Sequence, residues 1–177
     1  MYCPKCKDTT LDPTKLEDGL PVLGCPQCAG SLLSLLHYRD WVERFALEDE
    51  IESTASLEAE SDTKTALRCP KCGKIMTKYS VTGESTHRID LCGSCDEAWL
   101  DGGEWQLLKS LALGDQLPKI FTQQWQTRVR TEKAELGRIE RLTQMVGEDD
   151  ATQAVKTKQW LKSNPNRASL LRYLASD

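Results

Sequence analysis

All eight cysteines of the chain fall in C-x-x-C pairs: Cys3/Cys6, Cys25/Cys28, Cys69/Cys72 and Cys92/Cys95. The pairs group as C-x2-C-x18-C-x2-C and then C-x2-C-x19-C-x2-C. Two residues between ligands let one tight turn aim both sulfurs at a single ion. The longer gap suits a hairpin that returns the second pair opposite the first. The spacing therefore predicts two tetrahedral four-thiolate centres, one in each half of the array. A disulfide framework would use the same even count, but it belongs to an oxidising compartment. The opening MYCPKCKDTT lacks the basic and then apolar pattern of an export signal. A redox C-x-x-C ordinarily occurs once, beside a strand-helix unit, rather than four times. Four thiolates suit iron as well as zinc. Zinc is the expectation, two ions in all, with iron left open.

Between the pairs the chain reads as hairpins. IMTKYSV (75–81) alternates Ile75, Thr77, Tyr79 and Val81 against Met76, Lys78 and Ser80, and THRIDL (86–91) can return beside it through a turn at Gly83. In the first half, TKLE and LPVL flank Asp18-Gly19, a good hairpin turn. Pro21 cannot donate to a sheet ladder, which predicts that its strand lies at an edge.

Matching Cys28 to Cys95 sets Leu32 against Trp99, Leu33 against Leu100, Ser34 against Asp101 and His37 against Glu104. In both halves an apolar pair leads into a helix N-cap: Ser34 alone, or Asp101-Gly-Gly-Glu104 with the spacing of a capping box. In such a box the Asp101 carboxylate accepts from the Glu104 amide and Glu104 reaches back. EWQLLKSLAL then reads as a short helix and LLHYRDWVERFALEDEI as a longer one, with Trp99 over the metal knuckle or under the new helix.

The second half carries Cys69-Pro70-Lys71-Cys72-Gly73 and later Trp99, Leu100, Asp101, Gly103 and Glu104. It resembles the TFIIB-type zinc-ribbon family, whose pattern is CPxCG, a hairpin, then CPxCxGxWLDxGEL. It departs from that pattern at Gly93 and at Asp96-Glu97. The first half keeps its four cysteines, Pro4, Pro26 and Gly30, but lacks the Trp-Leu-Asp and Gly-Glu residues. The resemblance covers residues 1–47 and 68–113 and is closer in the second. It implies zinc ligation at all eight cysteines and implies no reaction. The family name points to transcription only by analogy of fold.

Asp101 and Glu104 read as capping residues rather than catalytic acids, since they sit three apart at an apolar helix start. His37, in a helix start, and His87, in a strand, read as surface or packing residues. Four sulfurs per ion leave no open position of the kind a catalytic zinc keeps. A divalent ion held by four thiolates leaves a net negative centre, which Lys5, Lys7, Lys71 and Lys74 offset locally.

Residues 48–67 (EDEIES to TKTAL) are acidic and read as a solvated tether or an extension of the first helix. From Leu117 onward, Ile120, Phe121, Trp125, Val129, Leu136, Ile139, Leu142, Met145 and Val146 recur at helical steps. RTEKAE (130–135) interrupts the stripe, so one long helix or two are both open. Gly147 ends it, Asp150 can cap a further helix, and Asn164-Pro165 marks another stop and start. Arg128, Arg130, Lys133, Arg138 and Arg141 make this region basic and are candidate contacts for nucleic acid or a partner. Glu132, Glu135 and Glu140 are interleaved, which favours an ordinary amphipathic helix. The net charge of −4 is no footprint of a nucleic-acid binder.

The expected fold is a small metal-stabilised α+β chain. It comprises a ribbon with its helix (1–47), the acidic linker (48–67), a second ribbon with its helix (68–113) and a helical C-terminal region (114–177). With 39% hydrophobic and 28% charged residues, several small cores suit it better than one long one. The expected role is a non-enzymatic, cytoplasmic, zinc-binding interaction module whose partner is another protein, with no membrane involvement. Nucleic-acid binding through the basic tail is the first alternative, and a thiol redox or metal-handling protein is the second.

Overall fold

The computed structural model describes residues 1–45 and 65–176. The sequence expectation for residues 48–64 lies outside the described residues. Strands β1 (Asp12–Glu17), β2 (Leu20–Gly24) and β3 (Ser31–Ser34) come from the first ribbon. Strands β4 (Thr77–Ser80), β5 (Arg88–Cys92) and β6 (Glu97–Leu100) come from the second. Helix α1 spans Leu35–Phe45 and α2 Glu104–Ser110, followed by α3 (Leu117–Ile120), α4 (Gln123–Val146), α5 (Glu148–Ser163) and α6 (Arg167–Leu174). The fold is a small α+β. Two compact units divide it, Met1–Arg130 and Thr131–Asp177, so the first runs past the boundary expected at residue 113.

The two ribbons are not separate modules. Their six strands form one sheet in the order β1-β2-β3-β6-β5-β4, joined where β3 pairs antiparallel with β6. The register sets Leu32 opposite Trp99, with Ser31 opposite Leu100 and Leu33 opposite Ala98. Leu32 and Trp99 are the very positions that match when Cys28 is aligned with Cys95, and the flanking pairs exchange under that alignment. The junction is thus self-complementary, the geometry of a two-fold interface built inside one chain.

Successive side chains point to opposite faces of a strand, and both faces are used here. On one face Leu20, Val22, Leu33, Ile89, Ala98 and Leu100 are buried beneath α1, α2 and the 113–120 segment, with Tyr38, Trp105, Leu108, Leu117 and Ile120 completing the cluster. Trp105 meets Tyr38 and Trp41 edge-on, with ring centroids 6.5 and 5.9 Å apart. Its indole N–H donates to Glu17 on β1 (2.8 Å), while the Tyr38 hydroxyl donates to the Gly114 carbonyl (2.8 Å) and accepts from the Leu117 amide (3.1 Å). On the other face Leu32 and Trp99 are buried with Leu11, Leu67, Met76 and the cysteines. Both clusters draw residues from both ribbons. The several small cores expected from composition are therefore two shared ones.

Pro21 predicts an edge strand, yet β2 lies between β1 and β3. The reason is local: β3 reaches only Leu23 and Gly24, so Pro21, which faces Lys15 of β1, lies beyond the part of β2 that pairs with β3. Ser34 ends β3 directly before α1, at the position expected of its N-cap, and the amide of Leu35 at the start of α1 donates to the Asp96 carbonyl (2.9 Å). His87 precedes β5 instead of lying in it, and α2 stops at Ser110, short of the expected EWQLLKSLAL.

The edge strand β4 is closed by a side chain. Gln126 on α4 accepts from the Ser80 amide (3.2 Å) and donates to the Ser80 carbonyl (2.9 Å), as a neighbouring strand would. The Trp125 indole N–H donates to the Val81 carbonyl (2.9 Å) beside it. The Gln126 amide also donates to the Ile120 carbonyl (2.9 Å), so replacing Gln126 by alanine strips three backbone groups of this partner and should cost about 1–3 kcal/mol. Faster hydrogen exchange at the Ser80 amide and a lower urea midpoint are the readouts.

In the second unit α4 continues through the charged RTEKAE stretch as one helix and ends at Gly147, whose φ is 88°. Helix α5 begins at Glu148, so Asp150 lies in its first turn and does not cap it. There Glu148, Asp149 and Asp150 oppose the positive end of the helix dipole.

Candidate metal centres

The eight sulfurs gather into two groups, Cys3, Cys6, Cys25 and Cys28 in one and Cys69, Cys72, Cys92 and Cys95 in the other, with every sulfur in a group within 4.8 Å of its fellows. Separations of 3.7 Å (Cys3 to Cys28), 3.9 Å (Cys6 to Cys25) and 3.6 Å (Cys72 to Cys92) are far longer than a disulfide bond, about 2.05 Å. A tetrahedron with metal–sulfur bonds of about 2.3 Å has edges near 3.8 Å, so the donor sets fit a four-coordinate ion with no open position.

Each knuckle supplies amides as well as sulfurs. The Cys6 N–H donates to the Cys3 sulfur (3.3 Å), and the amides of Cys28 and Gln27 do the same for Cys25. Left-handed residues close the turns: Lys7 and Gly73 follow the first pairs, and Ala29 (φ 52°) and Asp96 (φ 56°) follow the second. Without a cation the four sulfurs of a site cannot all ionise. Burial pushes Cys25 upward, but those amides and the Cys3 and Cys28 thiols outweigh it and bring it to about 7. Burial and the neighbouring sulfurs hold Cys6 and Cys28 at about 11. In the second site the Lys74 amide brings Cys72 to about 7, whereas Cys72 itself, then burial, lifts Cys95 to about 12.

Metal binding must therefore expel protons. At pH 7 the first site should release roughly three to four per ion, because only Cys25 is substantially ionised beforehand. The bound form carries fewer protons, so rising pH favours it, and affinity should fall by at least about a thousandfold per pH unit below neutrality. Calorimetry in buffers of differing ionisation enthalpy counts the protons directly.

Around the centres, the resemblance motif forms a joint. Trp99 is fully buried between the knuckles, and its indole N–H donates to the Asp101 carboxylate (3.0 Å). Glu104 reaches back to the Asp101 amide (2.8 Å), but the Glu104 amide bonds the Asp101 carbonyl (3.0 Å) and not its carboxylate. Half of the expected capping box exists; the other carboxylate holds the tryptophan instead. Leu100 lies on the helix-covered face, and Gly103 adopts φ 85° at the start of α2.

Four acids of the second ribbon are buried, and each faces a basic group: Lys5 lies 3.8 Å from Asp101, Lys71 2.9 Å from Glu97, Lys78 2.7 Å from Asp90, and the His87 ring 3.7 Å from Glu104. Lys74 bonds Ser94 (3.0 Å). Sequence reasoning overlooked Asp90, Glu97 and the Glu104–His87 contact. An ionisable residue inside an apolar strand, as in RIDLC and EAWL, was the available signal. His37 is exposed on α1.

The basic candidates of the C-terminal region are dispersed. The Arg128 guanidinium stacks over Trp125, 3.9 Å from the ring centroid, and Arg130 bonds the Gln126 carbonyl (3.1 Å). Arg138 and Lys158 both engage Glu135, while Lys133 and Arg141 are exposed.

Comparison with known proteins agrees with this geometry. Residues 2–44 match the family model described as transcription factor zinc-finger, the TFIIB-type zinc ribbon. The first ribbon is thus similar to that family, and the second four-cysteine site, at residues 69–95, is consistent with a second copy. The match falls on the half whose motif residues are sparser. No curated protein and no solved structure matches the chain.

Proposed function

We propose that the chain binds two zinc ions and serves as a non-enzymatic interaction module whose helical C-terminal unit engages another protein. The ribbon family supports zinc as the ion, and the two four-thiolate groups supply closed donor sets for it. The observation that carries the partner reading is the surface of residues 131–176. Ala151 and Leu161 are its buried hydrophobic residues, while Met145, Trp160, Tyr173 and Leu174 are each more than half exposed. Helices with so little covered apolar surface gain stability by docking. Among the described residues no helix is long and apolar enough to cross a membrane.

Purification of the tagged chain from its native cells, with nuclease present and at moderate salt, should retain a defined protein, and Trp160→Ala combined with Tyr173→Ala should release it. Retention of nucleic acid instead, with a steep salt dependence that flattens when Arg128, Arg130 and Lys133 become alanine, would replace this reading with the nucleic-acid one. A thiol-redox role requires metal-free cysteines that react in the native protein. Eight protected sulfurs with two ions bound would remove it.

A further inference from the structure

We propose that the two four-cysteine sites fill cooperatively, because each knuckle helps to build the helix start of the opposite ribbon. The crossings are reciprocal. Asp96, the left-handed residue after Cys95 of the second site, offers its carbonyl to the first amide of α1 (2.9 Å), and its carboxylate takes Arg39 of the same helix (3.3 Å). Across the pseudo-two-fold, Cys28 and Ala29 of the first site press on the residues that open α2. A Cβ added to Gly102 would lie 2.8 Å from the Cys28 carbonyl oxygen and 3.5 Å from the Ala29 Cβ. Lys5, between Cys3 and Cys6, meets Asp101 at 3.8 Å.

The third crossing is apolar. Trp99 of the second ribbon fills the place a Cβ on Gly30 would occupy, two residues after Cys28, and pairs with Leu32. Cys3 and Cys25 share one buried cluster with Cys69 and Cys92 around that ring.

A knuckle without its ion loses the tie that fixes Cys28-Ala29 or Cys95-Asp96. The opposite helix start then loses the carbonyl or the packing surface that it needs, and the cluster shared by both sites loosens. Occupying one site therefore prepares the other, and linkage makes the effect equal in both directions. A coupling of at least about tenfold, or about 1.4 kcal/mol, is expected.

Native mass spectrometry of the stripped full-length chain titrated with zinc reads the coupling without any variant. Independent sites, equal or unequal, leave at least about half of the protein in the one-ion form at half saturation, and tenfold coupling of equal sites lowers that to about a quarter. A one-ion population clearly below half supports the proposal. Half or more, together with an unchanged first site in the Cys72→Ser variant, overturns it, as does failure to bind zinc. In a second arm, Cys72→Ser should weaken zinc binding at Cys3, Cys6, Cys25 and Cys28 by about tenfold in competition with a chelator. An unchanged first site overturns the proposal. Gln126→Ala, which loosens β4 through Ser80, should leave that affinity within about twofold. An equal loss there would assign the effect to general stability and overturn the coupling as well.

Discussion

Stripping the ions with a chelator should lower the melting temperature by at least about 20 °C and shift tryptophan emission to the red. The direction follows from what the metal face contains. Cys3, Cys25, Cys69 and Cys92 are all buried there beside Leu11, Leu32, Leu67, Met76 and Trp99, so four of the nine buried residues of that cluster are ligands. Without a cation, the sulfurs of a site repel one another's ionisation, as Cys95 at about 12 and Cys72 at about 7 already express. The knuckles must then rearrange or hydrate. The size follows from the binding free energy of structural zinc, about 10–16 kcal/mol in small peptides, set against total domain stabilities of about 5–15 kcal/mol.

The helix-covered face opposes complete collapse. Tyr38, Trp105, Leu108, Leu117 and Ile120 there are fully buried and contain no ligand. Circular dichroism after chelation should therefore show strand signal lost while part of the helical signal survives. A melting temperature unchanged to within a few degrees would mean that this face alone holds residues 1–130 together.

How much of this was readable in the sequence depends on the distance over which each contact acts. Ligand spacing and the Asp18-Gly19 turn are local, and both sites and the β1–β2 hairpin were legible. The junction was not. SLLS and EAWL are four residues each, too short to display a period of two, and a helix follows each, at once after Ser34 and three residues on after Leu100, so they read as apolar lead-ins. Their pairing joins residues as far apart as Ser31 and Leu100, and no window of sequence shows it. The same blindness explains Pro21, whose strand is internal because of β3. Local capping chemistry was half right at Asp101, because the nearby Trp99 indole took the carboxylate. Gln126 as a surrogate strand lies farther still, 46 residues from Ser80.

Trp99→Ala should cost about 3–5 kcal/mol, the range for truncating a fully buried aromatic residue, and should weaken zinc at both sites. Trp105→Ala serves as its counterpart, since it removes an equally buried indole from the opposite face and should cost about as much. The two differ in what surrounds them. Trp99 lies among four ligand cysteines, against Gly30 and bonded to Asp101, whereas Trp105 touches Tyr38, Trp41 and Glu17. Urea unfolding with zinc saturating should find similar losses, and chelator competition should find both affinities reduced only for Trp99→Ala. Trp99→Phe keeps most of the ring but drops the N–H to Asp101, a bond to a charged acceptor, and should cost about 1.5–3 kcal/mol. Gly30→Ala tests the same contact from the other ribbon: its Cβ would enter the indole and stand 3.2 Å from the Leu100 carbonyl oxygen. Its φ is not in the left-handed region, so any loss of stability reports crowding rather than backbone strain. If Trp99→Ala cost less than about 1 kcal/mol while Trp105→Ala kept its full effect, the metal face would not be a packed core. The ions would then hold two knuckles that merely lie side by side.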